Sequence, residues 1–305
     1  MFAQDLSFNQ IHIDVARNST DDFNPFHDKH KWRHIRNNPF GGPVVLGFQL
    51  VCFLEYQISL FRQQHEELDL IHARGLRYSN YQLTFANVVR AGEQVSVDIK
   101  NSQYLKGDNP MLSNRVVMRK ATGIVLVGYK RESRAPLFFS ELSDPLPEDL
   151  RAVPDRSYLT AGGLFLKRKY MNTGNAKNFL AGSRVDQAEY FDELNDKVHF
   201  PETFPTALIS CALLERALKE KQDFCRTPMV YTGHEISVDR ERIARLRSND
   251  VLHILVGPAV AGARSKGLSK PDVKQQVIRC RGLTHGREWL FCANIYMTLL
   301  GDLRI

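Results

Sequence analysis

Two apolar segments, one in each half of the chain, restrict more than any other feature how this sequence can fold. They span residues 44–63 and 206–221. Both carry apolar side chains on nearly every face, and a helix of that kind must be wrapped by other elements. Each is followed by strand candidates whose residues alternate, as in 94–99, which is typical of a sheet with one wet face. The pattern predicts a buried helix held by a curved antiparallel sheet, twice in one chain.

The order of predicted elements repeats in the two halves. Each half begins with a polar stretch, continues with the apolar helix and ends with strands. A segment rich in proline and acidic residues separates the halves and is typical of a linker. We expect an α+β protein with an N-terminal domain over residues 1–140, a linker over 141–157 and a C-terminal domain over 158–305. Residues 257–271 lack periodicity and are predicted to form a mobile loop. The strand candidates are 76–89, 94–104, 114–130, 230–240, 251–256, 274–281 and 288–300.

Composition excludes several classes of protein. The 305 residues are 43% hydrophobic and 25% charged, as in an ordinary globular protein with a sizeable core. No apolar run approaches the roughly 18–20 residues of a membrane span, and the N-terminus does not resemble a signal peptide. We therefore expect a cytoplasmic protein without membrane insertion. Its five cysteines form no C-x-x-C pair, which favours buried free thiols over disulfides or a zinc site.

The net charge of +7 indicates either a negatively charged partner or a basic surface that only contacts solvent. The basic residues are spread along the chain without a nucleic-acid-binding motif, so nucleic acid is not expected. A phosphate-bearing cofactor tail or an acidic carrier protein would also favour a positive surface. A solvated surface without a partner is the remaining alternative.

A turn in the N-terminal half carries the residues most suited to chemistry. Asp22 and His27 lie five positions apart around Asn24-Pro25, and proline in such a sequence favours a turn. A carboxylate and an imidazole on one turn can share a single water, and this suits acid-base addition of water to an activated double bond. The structural alternative is an Asp cap and a surface His.

Gly47 stands at the beginning of the first apolar helix. A backbone N–H at a helix start is a fixed donor for an oxygen that gains negative charge, and glycine permits close approach. The alternative is that Gly47 only gives the helix room to pass the sheet.

The motif Asp-x-Asn-Pro-x-His, with the Phe-Gly-x-Pro stretch that follows it, resembles the hydratase-2 motif of MaoC-like proteins. The two parts are Asp22 to His27 and Phe40 to Gly47. Members of that family are (R)-specific enoyl-CoA hydratases with a hot dog fold, so the resemblance implies a double hot dog with two curved antiparallel sheets. The chain departs from the family at Asp21, where glycine is usual, and at Leu46, where histidine is usual.

The resemblance also implies an activity. Trans-2-enoyl thioesters would be hydrated to (R)-3-hydroxyacyl thioesters, or the reverse. Of Asp22 and His27, one removes a proton as oxygen attacks C3 and the other delivers a proton to C2. Gly47 would be the oxyanion donor, and Asn24 would fix the turn or touch the substrate. No metal or redox cofactor is implied. The thioester carrier, CoA or acyl carrier protein, is substrate, and the protein would be a monomer or a homodimer.

The C-terminal half lacks the motif. His199-Phe-Pro is similar to the His-Phe-Pro-Gly segment of beta-hydroxyacyl carrier-protein dehydratases, but Glu202 replaces the glycine and Glu215 lies too far along. We expect this half to have lost its site and to leave space for a long acyl chain. Leu208, Ile209 and Ala212 of its helix could then line that space, and core packing alone is the alternative explanation for them.

Other polar residues near the motif are less informative. His30 and His34 follow His27 in a basic stretch, but they lack an acidic or cysteine partner at zinc-ligand spacing. A rim that attracts phosphate near the site and a solvated loop are the two other interpretations. Asp28 could orient His27 or be solvated. Two other functions stay open. One is a hot dog thioesterase, in which an acid on or near the helix activates water, and the other is an acyl-thioester-binding protein whose site has been retired by the changes at Asp21 and Leu46.

Overall fold

The computed structural model of the chain describes residues 6–139, 145–159, 162–262, 275–284 and 288–303. Helices and strands alternate with short 3-10 turns in this part. In chain order, the N-terminal half contains β1 (Leu6–Ser7), α1 (Gln10–Thr20), α2 (Gly47–Gln64), α3 (Glu67–Ala73), β2 (Tyr78–Phe85), β3 (Gln94–Ile99), β4 (Gln103–Leu105), β5 (Met111–Lys120) and β6 (Gly123–Ser133). The C-terminal half contains β7 (Ser157–Tyr158), β8 (Phe165–Met171), α4 (Thr173–Gly182), β9 (Phe191–Asp192), β10 (Lys197–Val198), α5 (Thr203–Ala207), α6 (Ile209–Lys219), β11 (Met229–Asp239), α7 (Arg240–Arg245), β12 (Asp250–Ala261), β13 (Gln276–Leu283) and β14 (Trp289–Leu299).

Twelve strands of the described residues form one sheet, and the two halves meet in its middle. The order along the sheet is β1-β3-β5-β6-β2-β11-β14-β13-β12-β8-β7, with β4 beside β5, and neighbouring strands are antiparallel. Strands β2 and β11 join the halves, with Tyr81 opposite Ile236. Outward from this junction, β2, β6, β5 and β3 correspond to β11, β14, β13 and β12. The expected α+β class with antiparallel strands is confirmed.

The first apolar segment forms α2, and its interior side chains contribute to the main core. Phe48, Val51, Phe53 and Leu54 are buried, and each such side chain stabilises the fold by about 1.5–3 kcal/mol. The helix contacts α3, α4, α5 and β3. The contacts with α4 and α5 connect it to the C-terminal half.

Several boundaries differ from the sequence-based expectation. The polar stretch before the motif, for which no helix was predicted, forms α1, whose apolar stripe is narrow and rests on Ile13 and Ala16. The predicted strand 114–130 is a hairpin of β5 and β6, because its chain reverses between Lys120 and Gly123. The predicted helix 206–221 begins earlier and is divided at Leu208 into α5 and α6. Strand β12 continues to Ala261, so the predicted loop 257–271 begins too early; residues 263–271 lie outside the described residues.

Helix α4 and strand β8 were not predicted, and α4 packs closely against α1. A Cβ on Gly182 would lie 2.8 Å from both the Ala16 nitrogen and the His12 oxygen. The same glycine's carbonyl oxygen accepts a hydrogen bond from Gln49 Nε2 at 2.5 Å. Glycine therefore allows three helices from both halves to meet.

Two further expectations concern the whole chain. Strand β7 pairs with β8, so the last residue of the predicted linker, Ser157, belongs to a strand. The domain limits themselves stay a prediction. None of the helices in the described ranges combines the length and apolar character that crossing a bilayer requires.

Candidate functional site

The turn from Asp22 to His27 is fixed by its own side chains. Asp22 Oδ1 accepts a hydrogen bond from the Asn24 backbone N–H at 2.9 Å, and Asn24 Oδ1 accepts one from Phe26 N–H at 3.1 Å. Pro25 begins a 3-10 turn that ends at His27. Asn24 thus has the turn-fixing role that the sequence indicates, as the cap of this short helix.

Asp21 holds the backbone conformation for which glycine is the usual residue. It ends α1 with φ of 54°, in the left-handed region that aspartate tolerates better than most residues. Its carboxylate forms an ion pair with Lys169 of β8. Asp21 therefore adopts the left-handed backbone that a glycine at this position would adopt easily.

His27 has a defined ring orientation. Its Nδ1 lies 2.7 Å from the Val44 carbonyl oxygen. A carbonyl oxygen only accepts, so Nδ1 carries the proton and donates. In the neutral ring, Nε2 is then left with a lone pair that can accept a proton.

Asp28 does not orient the His27 ring, and it is not simply solvated. Its Oδ1 accepts hydrogen bonds from the backbone N–H groups of His30 and Lys31, and its Oδ2 lies 2.9 Å from Arg17 NH1. Burial favours a higher pKa for Asp28, but these hydrogen bonds and the Arg17 charge outweigh it and hold the pKa well below its ordinary value. Arg17 also donates from Nε to the Asp22 carbonyl at 3.3 Å, so it connects α1 to both ends of the turn.

Gly47 is the first residue of α2, and the C-terminal half covers it. A Cβ at Gly47 would lie 2.7 Å from Tyr231 Cε1 and 3.2 Å from Phe85 Cζ. The preceding residue, Leu46, is buried and caps no backbone group with its side chain. Only glycine therefore fits beneath the Tyr231 ring at the start of this helix.

One cavity of about 410 Å³ collects the residues predicted to act. Asp22, Asn24, His27 and Gly47 all line it. The rest of its wall is mainly apolar and comes from both halves. Leu208, Ile209 and Ala212 do not line it; they are buried in the main core, which was the alternative explanation for them. The cavity is lined by the other face of the same helix, with Ser210, Leu213, Leu214 and Ala217.

The histidines that follow the motif do not join this site. His30 and His34 are exposed, and neither lines the cavity. Among the described residues, no group of three or more His, Cys, Asp or Glu side chains is arranged to hold a metal ion.

A second cavity, of about 610 Å³, lies at the beginning of α5. Its wall contains an alternating set of charges in which Lys130 Nζ is 2.6 Å from Glu132 Oε1 and 3.7 Å from Glu202 Oε2. Arg62 NH2 is 3.3 Å from Glu132 Oε1, and Arg240 Nε is 3.3 Å from Glu202 Oε1. The two cavities occupy corresponding places in the repeat but differ in polarity.

Glu55 of α2 reaches the beginning of α5 within this cavity wall. Its carboxylate accepts hydrogen bonds from the backbone N–H groups of Glu202 and Thr203, both at 2.9 Å, and from Thr203 Oγ1 at 2.6 Å. Burial and then the charge of Glu202 raise the pKa of Glu55 to about 7, against the opposite effect of these hydrogen bonds.

The sequence analysis did not identify Glu55, Lys130 or Tyr231 as functional. A glutamate inside an otherwise apolar helix was a signal for Glu55, because a buried carboxylate must be paired or hydrogen-bonded. Lys130 and Tyr231 lie in ordinary alternating strand sequences that carry no sign of function. Their place beside a cavity depends on how the strands pair.

No family model matches the chain, and no curated protein matches its sequence. The chain does resemble solved structures. One is a conserved hypothetical protein from Mycobacterium tuberculosis, described as having a double hotdog fold; it is 12% identical, with a TM-score of 0.57 over 98% of this chain and 95% of that one. A MaoC-like dehydratase is 9% identical, with a TM-score of 0.54 over 98% and 96% of the two chains. A MaoC domain protein dehydratase from Chloroflexus aurantiacus J-10-fl is 8% identical, with a TM-score of 0.57 over 97% and 93%.

This chain has the hot dog fold. The expected likeness to MaoC-like proteins is confirmed at the level of the fold. At this identity the comparison gives no residue roles.

Proposed function

We propose that this protein is a double hot dog hydratase or dehydratase that interconverts trans-2-enoyl and (R)-3-hydroxyacyl thioesters. The observation that carries the proposal is one apolar cavity lined by Asp22, His27 and the start of α2 at Gly47. An acid-base pair and a fixed N–H donor are what the addition of water to a thioester-conjugated double bond requires.

The reaction uses one water and no redox step. A water held between Asp22 and His27 loses a proton to one of them as its oxygen bonds to C3. The π electrons of the double bond move toward the thioester, whose oxygen gains negative charge opposite the Gly47 N–H. The other partner gives a proton to C2, so the net change is addition of H₂O. His27 can accept a proton at Nε2, because Nδ1 is held by Val44.

The apolar wall indicates the acyl part of the substrate. Leu213, Leu214 and Ala217 of α6 line the cavity together with Ile295 and Met297 of β14. The C-terminal half therefore supplies a hydrophobic surface to a site whose acid-base candidates, Asp22 and His27, come from the N-terminal half. Acyl-CoA or acyl carrier protein would deliver the chain.

The C-terminal half would have no hydratase site of its own. Its helix start at Glu202 and Thr203 already donates to the Glu55 carboxylate, so no N–H there is presented to a substrate oxygen.

The test is loss of the conjugated enoyl-thioester absorbance with trans-2-enoyl-CoAs of increasing length, repeated with enoyl-carrier protein. We expect turnover by the wild type and a loss of at least about 10³-fold in Asp22→Asn and in His27→Ala. His30→Ala and Asp108→Asn remove exposed residues of the same types and should keep wild-type rates.

Other outcomes identify the alternatives. Release of free thiol from saturated acyl-CoA would indicate a thioesterase. Binding of acyl thioesters without turnover on either carrier would indicate a binding protein with a retired site, and it would refute the proposed reaction.

A further inference from the structure

Among the described residues, the side chain of Tyr231 in β11 lies nearest to the place that a Cβ on Gly47 would occupy. Its Cε1 and Cδ1 atoms lie 2.7 Å and 2.8 Å from the place of a Cβ on that glycine. The ring is held by Phe48, at a centroid distance of 5.5 Å, and by Phe85, at 5.0 Å. The Tyr231 side chain also lines the cavity that contains Asp22 and His27. It is therefore a fixed part of the same site.

A β-bulge brings Tyr231 and His234 together. Residues three apart in a regular strand point to opposite faces of the sheet. The pairing of β11 with β14 shifts between Tyr231 and Gly233, and this extra residue changes the alternation. The Tyr231 hydroxyl is hydrogen-bonded to His234 Nδ1, and the buried His234 ring stacks on Phe48 at 5.8 Å. The hydroxyl is thus held in an orientation by a buried partner.

We propose that Tyr231 is a catalytic residue whose hydroxyl, oriented by His234, is a second hydrogen-bond donor to the thioester oxygen beside the Gly47 N–H. This inference rests on the proposed function. In the productive state His234 Nδ1–H donates to the tyrosine oxygen, so the hydroxyl proton points to the substrate. No bond is made or broken by Tyr231, and no proton leaves it.

The surroundings of Gly47 explain why a second donor is needed. Leu46 is apolar and buried, so the residue before the glycine offers no side-chain donor. An oxygen that gains negative charge can accept two hydrogen bonds, and donors aimed at it act most strongly in a cavity of low polarity. The active site is then composite, because its second donor comes from the C-terminal half.

The experiment compares Tyr231→Phe with wild type in the enoyl-thioester assay. Phenylalanine keeps the ring between Phe48 and Phe85 and removes only the hydroxyl. We expect kcat to fall by about 10²-fold, the usual effect of losing one such donor, with KM changed by less than about threefold. Binding of a saturated acyl-CoA should be unchanged, a result that a merely structural role for the hydroxyl would not give. Tyr170→Phe, at an exposed tyrosine of β8, is the matched control and should keep the wild-type kcat.

His234→Asn tests the orienting partner. It should lower kcat in the wild-type background and have little further effect in Tyr231→Phe, because both act through one hydroxyl. Unchanged kcat in a folded Tyr231→Phe protein, while Asp22→Asn is inactive, would overturn this inference and leave the proposed function standing. A wild-type protein without turnover on either carrier would overturn both.

Discussion

The two apolar helices begin in different surroundings, although they hold corresponding places in the repeat. At α2, Gly47 faces an apolar cavity and the ring of Tyr231. At α5, the N–H groups of Glu202 and Thr203 face the carboxylate of Glu55. In each case the other half of the chain supplies the covering group. The backbone N–H groups at a helix start favour a negatively charged acceptor. In the C-terminal half this acceptor is the Glu55 carboxylate, and in the N-terminal half a substrate oxygen would take that place.

The two helix starts also differ in the charged residues around them. The wall around Glu55 carries Lys130, Glu132 and Arg240, which neutralise one another within the protein. The wall around Gly47 is mainly apolar, and its polar residues include Asp22, Asn24 and His27 of the motif turn and the ion pair of Arg216 with Glu220. Because the Glu55 carboxylate already accepts the N–H groups at the start of α5, a ligand oxygen cannot accept the same hydrogen bonds. The two helix starts therefore differ in the groups that face them, although the fold around them is the same.

The largest expected effect comes from adding a methyl group at the start of α2. In Gly47→Ala the Cβ would overlap the Tyr231 ring, which is itself held between two other rings. We expect a loss of about 1–3 kcal/mol in the free energy of unfolding and a fall of more than about 10²-fold in kcat. Urea denaturation and the enoyl-thioester assay measure the two effects. Gly42→Ala is the control, because a Cβ there meets nothing within 4 Å. Equal stability of the two variants would show that Tyr231 is not fixed against Gly47.

A pH-dependent effect on stability, with little effect on turnover, is expected at the other helix start. The pKa of Glu55 is raised from 4.5 to about 7 in the folded protein, so the folded form holds this proton more tightly than the unfolded form. The stability that this gives is complete below about pH 4.5 and is lost as the pH rises to about 7. Relative to Glu55→Gln, the wild type should lose up to about 3 kcal/mol over that window.

The measurement is the urea midpoint of wild type and Glu55→Gln between pH 4 and 8, with Glu148→Gln as an exposed control. Enoyl-thioester turnover of a folded Glu55→Gln protein should stay within about threefold of wild type, because Glu55 does not line the Gly47 cavity. A parallel stability profile for the two proteins would contradict the raised pKa. Loss of turnover would contradict the division between the two sites.

The smallest effect is expected at Asp21, where the backbone is left-handed. Asp21→Ala should cost about 1 kcal/mol of stability, because alanine tolerates that conformation less well. Asp21→Gly relieves the backbone but removes the ion pair with Lys169, which is worth at most about 1 kcal/mol since the Asp21 side chain is 66% exposed. The glycine variant should therefore stay within about 1 kcal/mol of wild type in thermal or urea denaturation. Equal destabilisation by alanine and glycine would indicate that the ion pair, not the backbone, matters at this turn.

The motif turn could be predicted because its contacts are local. Asp22, Asn24 and Pro25 act on groups a few residues away, and the sequence therefore predicted their geometry. Strands β11, β13 and β14 of the C-terminal half were also predicted nearly as observed, since alternation survives in a sheet with two different faces. Helix α1 was missed because few of its residues are apolar, and β8 and α4 were missed with it. The predicted strand 114–130 concealed a hairpin, because Lys120 to Gly123 carries a weak turn signal inside a continuous alternating pattern.

The sequence by itself determined the repeat, the buried character of α2 and the turn that carries Asp22 and His27, because periodicity and turn chemistry act over a few residues. Only the tertiary structure decided that Tyr231 covers Gly47 and that Glu55 occupies the start of α5. Those pairs are far apart in the chain, and they meet because β2 pairs with β11 and each helix reaches the other half. Strand pairing and helix packing are long-range contacts that local sequence patterns do not predict. The chemistry of each helix start depends on the residue that these contacts place against it.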